Sequence, residues 1–154
     1  MVSAFRRGFT ILELIIVIAV FGLLATLAAL SLNSARASLR DAQRLSDVSV
    51  LRAALSAYYL EKATFPLSGG VDLGQPGTDT DVFTGSGFVA ADQAQPPIYL
   101  ERVPVGPRNN EYYRFRGGAT GYSVRFVMET ETDLGPPNVY YAHQSGIDRE
   151  DAER

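Results

Sequence analysis

The chain has 154 residues, 46% hydrophobic and 20% charged, which suits one anchored globular domain and leaves no room for a second of ordinary size. Its 14 Lys and Arg against 17 Asp and Glu give a formal charge of −3, so it is not built as a general nucleic-acid binder. Cysteine is absent, which removes disulfides, Cys-ligated metals and thiol nucleophiles together.

Near its start the chain carries Arg6-Arg7-Gly8-Phe9-Thr10-Ile11-Leu12-Glu13-Leu14, and from Leu14 to Leu32 it has neither a charge nor a proline. At 1.5 Å per residue a helix from Phe9 to Leu32 would be roughly 36 Å long, more than the roughly 30 Å of a hydrocarbon core. Arg6 and Arg7 place the N-terminal flank in the cytoplasm, so the rest of the chain faces outward. Glu13 breaks the apolar pattern. A carboxylate in lipid costs on the order of a few kcal/mol, which marks it as a functional residue.

Gly8-Phe9-Thr10-Ile11-Leu12-Glu13-Leu14, behind a short arginine-bearing leader and ahead of an unbroken apolar helix, resembles the class III signal of type IV pilins and type II secretion pseudopilins. The resemblance implies that a prepilin peptidase cuts after Gly8 and N-methylates Phe9, and that Glu13 is the acidic residue used in assembly. Loss of Arg6 and Arg7 would leave 12 Lys and Arg against 17 Asp and Glu, a mature charge of 12 − 17 = −5. In a filament the ammonium of a neighbour's Phe9 can pair with Glu13; unit charges about 4 Å apart attract by roughly 4 kcal/mol at an effective dielectric of about 20.

The resemblance implies a structural subunit, not an enzyme. The leading expectation is a type IV pilus-like filament serving motility, adhesion or DNA uptake, with a type II secretion pseudopilin as the alternative. A membrane-anchored ligand-binding domain that does not polymerise is the reading of a different class. The implied partners are copies of the chain, the prepilin peptidase, a pilus or secretion assembly platform, and the membrane. The implied location is the inner or single cytoplasmic membrane for the precursor, then a cell-surface or periplasmic filament. Two plainer readings of the N-terminus compete: a secretory signal cut at Ala35-Arg36-Ala37, and a simple anchor. The first has an apolar run longer than the usual 7 to 15 residues, and the second explains neither Glu13 nor Gly8-Phe9.

Beyond Leu32, Ala35, Leu39, Ala42, Leu45, Val48, Leu51, Leu55 and Tyr58 recur every three or four residues, the spacing of an amphipathic helix. Arg36, Arg40, Asp41, Arg44, Asp47 and Arg52 lie between them and read as a solvated face, with contact to neighbouring subunits as the sharper alternative. One helix from about Thr10 to Lys62 is predicted, roughly 80 Å long. Gly22 is its weakest position. Leu30 stands where many pilins carry a proline, and Phe65-Pro66 ends the helix.

Residues 63–98 are dense in Gly, Pro, Asp and Thr and correspond to the family's αβ-loop. Apolar and polar residues then alternate through 112–116 and 122–129 around a glycine-rich turn, a β-hairpin signal, and 138–143 can add a third strand. Tyr122, Val124, Phe126 and Met128 share the face assigned to the helix. The expected fold is α+β, the pilin fold: a long N-terminal helix packed on a three- to four-stranded antiparallel sheet. The parts are a leader (1–8), a transmembrane and filament-core helix (9–32), an amphipathic half (33–62), the αβ-loop (63–98) and a C-terminal sheet with a frayed tail (99–154).

For catalysis there is little. His143 is the sole histidine, and no Gly-x-Ser-x-Gly elbow accompanies it. No cofactor is expected, though Ca²⁺ has two weak candidate sites, Asp72 with Asp79 and Asp81, and Glu129 with Glu131 and Asp133, where solvated acidic loops are the plainer reading. Arg114, Arg116 and Arg125 could grip phosphates, nucleic acid included, or a neighbour's acids; exposed strand arginines are the plainer reading.

Overall fold

A computed structural model of the chain describes residues 9–152. Helix α1 runs Ile11–Lys62 without interruption. Its sequence holds no proline and only Gly22 as a weak helix former. The helix ends at Lys62, as predicted, just before Phe65-Pro66. Ala63 turns into the left-handed region with φ 54° and donates its N–H to the Tyr59 carbonyl at 2.8 Å, closing the last turn.

The chain divides into two units, Met1–Arg36 and Ala37–Arg154. Among the described residues the first is helix and its two leading residues.

The second unit contains the rest of α1 and eight strands: β1 (Ser68–Leu73), β2 (Val82–Thr84), β3 (Gly87–Val89), β4 (Ile98–Leu100), β5 (Tyr113–Gly117), β6 (Tyr122–Met128), β7 (Asn138–Ala142) and β8 (Ile147–Asp148). They form a five-stranded sheet in the order β1-β5-β6-β7-β8 and a three-stranded sheet in the order β3-β2-β4, with every pairing antiparallel. The α+β architecture is the one expected. The larger sheet has five strands against the three or four expected, because both of its edges come from stretches that read as loop or tail.

Strand β1 was the harder edge to foresee. Gly69-Gly70 reads as a turn, yet the register against β5 shifts between Ser68 and Val71, so the glycines make a bulge. Gly70, at φ 127°, supplies a backbone angle that few other residues tolerate. The tail is not frayed where the structure describes it. Strand β8 pairs with β7, and Asp151 accepts hydrogen bonds from Ser123 at 2.9 Å and Arg116 at 3.1 Å.

The core lies between α1 and the larger sheet. Tyr122, Val124, Phe126 and Met128 of β6 are all buried, as the alternation predicted, and meet Val48, Leu51, Leu55 and Tyr58 of the helix. Tyr58 also stacks on Phe83 at 5.3 Å between ring centroids, and Phe83 stacks on Phe88 at 4.5 Å, which ties the small sheet to the same core.

The helix phase differs from the prediction at one end. Ala35, Leu39 and Ala42 are exposed, and the buried stripe continues N-terminally from Val48 through Arg44 and Asp41. The solvated charged face is therefore corrected. Two of its charges point into the protein.

Candidate functional site

The first turn of α1 is capped by its own sequence. The Thr10 hydroxyl accepts a hydrogen bond from the Glu13 backbone N–H at 3.2 Å, and Thr10 with an acid three residues on is the pattern of a capping box. Glu13 lies in the first turn, where a carboxylate also favours the positive end of the helix dipole. From Ile11 to Leu32 the large apolar side chains are between 40% and 80% exposed. Among the described residues one helix is long and apolar enough to cross a membrane, and none of its most apolar window is buried within the chain. That surface needs lipid or other chains around it.

In the second unit, every exposed helix position from Ser38 to Leu60 is uncharged. Leu39, Ser46, Val50, Ala53, Ala57 and Leu60 lie along one stripe of this face, at heptad-like spacing. An ordinary solvated helix would carry its charges there. Here they point the other way.

The inward charges form a closed cluster. Arg44, 1% exposed, donates to Asp41 at 2.7 Å and to both carboxylate oxygens of Glu111 at 2.6 and 2.9 Å, and it pairs with Glu129 at 2.6 Å. Arg40 makes a two-pronged contact with Glu129 at 2.9 and 2.6 Å, and Arg108 reaches the same carboxylate. Asp41, 2% exposed, accepts from the backbone N–H groups of Glu129 and Thr130 and from the Thr130 hydroxyl, the last two at 2.7 Å. Three arginines thus face three carboxylates, and the group fastens α1 to the end of β6 and to the 108–111 turn. Burying a charge is tolerable only with this degree of pairing and hydrogen bonding.

The electrostatics follow from that geometry. The hydrogen bond from Arg40, aided by Arg44 and the field of Arg108, holds the Glu129 carboxyl down at about 2. Burial pushes Asp41 up, but the Thr130 hydroxyl, the two backbone N–H donors and Arg44 outweigh it and keep Asp41 below the usual carboxylate range. Burial works against the charge of Arg44, and its three acidic partners more than reverse this, raising it above the ordinary arginine value. One carboxyl goes the other way. Burial raises Asp47, although it accepts a hydrogen bond from the Tyr113 hydroxyl at 2.8 Å.

A carboxyl depressed on folding stabilises the fold above its unfolded pKa, and that stability is lost as pH falls through the folded value. For Glu129 the window runs from 4.5 down to about 2, and Asp41 acts in the same direction. Asp47, raised, opposes them as one group against two. The thermal midpoint of the second unit, followed by near-ultraviolet circular dichroism, is expected to fall steadily across that window. A midpoint that holds constant from pH 4.5 to 2 would count against the cluster as drawn.

Residues 4–29 match the model of the prokaryotic N-terminal methylation motif. The chain is similar along most of its length to type II secretion system core protein G of Dickeya chrysanthemi, at 26% identity covering 92% of this chain and 93% of that protein. The protein of the same name from Aeromonas hydrophila is 27% identical, covering 84% of this chain and 87% of its own length. That from Klebsiella pneumoniae is also 27% identical, over 84% and 93%. Both findings agree with the resemblance to type IV pilins and pseudopilins carried by the N-terminal signal. No solved structure matches it significantly.

The remaining candidates are dispersed. Gly8 lies outside the described residues, and Phe9, 77% exposed, precedes the helix. Asp72 faces Arg114 at 3.3 Å, while Asp79 and Asp81 are exposed. Glu129 belongs to the arginine cluster, and Glu131 and Asp133 are exposed. Among the described residues no three His, Asp or Glu side chains gather as a metal-holding group. Arg114 stands directly across from Arg125 on β6, and Arg116 pairs with Asp151 at 3.1 Å.

The Asp41, Arg44, Glu111 and Glu129 cluster was not foreseen as a unit. The signal for it was the helix spacing itself: 41, 44, 48, 51, 55 and 58 form one stripe with the same three- and four-residue steps as the apolar residues.

Proposed function

We propose that the chain is a pseudopilin of a type II secretion-type system, a structural subunit and not an enzyme. It is made as a membrane-anchored precursor, cut after Gly8, methylated at Phe9, and polymerised with copies of itself through α1 on an assembly platform outside the cytoplasm. The near full-length similarity to core protein G favours this over the surface pilus that the sequence alone put first. The observation that carries polymerisation over a solitary anchored domain is the outward face of α1 between Ser38 and Leu60, which carries no charge. Small side chains there let a second helix approach closely, and no charge has to be desolvated when it does.

The test is the intact mass, with N-terminal fragmentation, of protein recovered from its own membrane. A chain beginning at N-methylated Phe9 is the expected result, and Gly8→Glu is expected to leave the precursor uncut, because the peptidase site takes a small residue there. A start at Met1 in the wild type would indicate a simple anchor, and a start after Ala37 a soluble secreted domain. Abundant long pili in sheared surface material at native expression would return the surface-pilus reading.

A further inference from the structure

His143 is the chain's only histidine, follows β7 and is 0% exposed. Both of its ring nitrogens meet acceptors. Nδ1 lies 3.1 Å from the carbonyl oxygen of Tyr122 on β6, and Nε2 lies 3.0 Å from the carbonyl oxygen of Glu150 and 3.3 Å from Oδ1 of Asp148. A neutral imidazole has one N–H and one lone pair, so in that form one nitrogen would point its lone pair at an oxygen lone pair; only the imidazolium donates on both sides. Buried polar contacts left in that state are costly because water cannot replace the missing partner.

We propose that His143 is a protonation-dependent clasp, which as imidazolium holds residues 146–151 against the sheet and on losing a proton lets them open. The clasp acts beside other holds on this segment: β8 pairs with β7 over two residues, the His143 N–H donates to the Gly146 carbonyl at 2.7 Å, Ser123 and Arg116 donate to Asp151, and Arg149 donates to the Tyr140 hydroxyl at 3.3 Å. The charged and titratable groups around the ring come from three sides. From α1, Arg52 donates to the His143 carbonyl at 3.1 Å and opposes a second positive charge. From the segment, the Asp148 carboxylate and the Glu150 carbonyl favour it, and from β6 Tyr122 presents its carbonyl. Opening would uncover Ser123, which is 1% exposed and donates to Asp151.

The test uses the full chain in detergent micelles, labelled with nitrogen-15. The ring's protonation is followed through its nitrogen shifts and segment opening through amide protection factors of residues 147–151, corrected for the intrinsic pH dependence of exchange. Protection is expected to fall about tenfold or more as the ring titrates, roughly the loss of one hydrogen bond to a charged group. The step should vanish in His143→Gln, whose side chain does not titrate. Should that variant not fold, the wild-type sample still decides, because ring titration and opening must share one midpoint. A closed segment on a neutral ring, separate midpoints, or a ring that keeps both protons up to pH 9 would each overturn the clasp.

Discussion

Arg44→Leu is expected to destabilise the second unit by about 3–5 kcal/mol, the usual cost of removing one partner from a buried ion cluster. For a domain of this size that corresponds to a fall in thermal midpoint of about 10–20 °C. The reason lies in what the substitution leaves behind. Asp41, 2% exposed, loses its one arginine partner at 2.7 Å, and Glu111 loses both prongs of its contact. Glu129 keeps Arg40 and Arg108, so the damage centres on the other two acids. Arg44→Lys should recover only part of the loss, because a single ammonium cannot reproduce a guanidinium that serves three carboxylates at once. Arg44→Leu with Asp41→Leu should not recover it either. The Asp41 oxygens also hold the backbone N–H groups of Glu129 and Thr130, which would then be buried without partners. A drop of less than about 3 °C in Arg44→Leu, measured by circular dichroism, would show that the cluster is ornamental to stability.

Glu13→Val is expected to be cut, methylated and inserted in the membrane, yet to be absent from filaments. Two effects of Glu13 have to be separated, and their magnitudes do so. As an acid in the first turn of α1 it contributes about 0.3–1 kcal/mol through the helix dipole. As the partner of a neighbour's N-terminal ammonium it would contribute roughly 4 kcal/mol, about three powers of ten in an equilibrium constant. Only the second is large enough to abolish assembly. A helix from Ile11 to Lys62 will not unfold for the sake of the first. Quantitative immunoblotting of sheared filament fractions against total membrane, with Glu13→Gln beside Glu13→Val, reads the outcome directly. Filaments in wild-type numbers from either variant would remove the pairing argument, and cleavage failing in either would move the role of Glu13 from assembly to processing.

The relation between Arg40, Asp41, Arg44 and the sheet shows why the charged helix face misled. Read along the chain, Asp41 and Arg44 form an ordinary i,i+3 surface pair. Their other partners, Glu111, Glu129 and Thr130, lie 67 to 89 residues away in sequence. Nothing local distinguishes a charge that will meet such partners from one that will meet water. Glu129 illustrates the converse. Grouped with Glu131 and Asp133 it looks like part of an acidic loop, whereas the fold points it at three arginines.

The two extra sheet edges have a related cause. Ser68–Leu73 has little of the alternation that announces a strand, and Gly69-Gly70 signals a turn. The segment is a strand because β5 offers it an unpaired edge, and the bulge absorbs the glycines. Strand β8 exists for the same reason on the opposite edge.

What the sequence determined by itself is therefore what local forces decide. The extent of α1 follows from an absence of proline and a capped start, and its suitability for a membrane follows from an unbroken apolar run. The hairpin of β5 and β6 and the buried face of β6 follow from alternation around a glycine-rich turn. The tertiary structure alone decided which helix charges turn inward, which side of α1 is left uncharged, and which weak segments become strands. Those outcomes depend on hydrogen-bond and ion-pair partners that are remote in the chain, and a buried charge or an unpaired strand edge acquires its energy only when such a partner arrives.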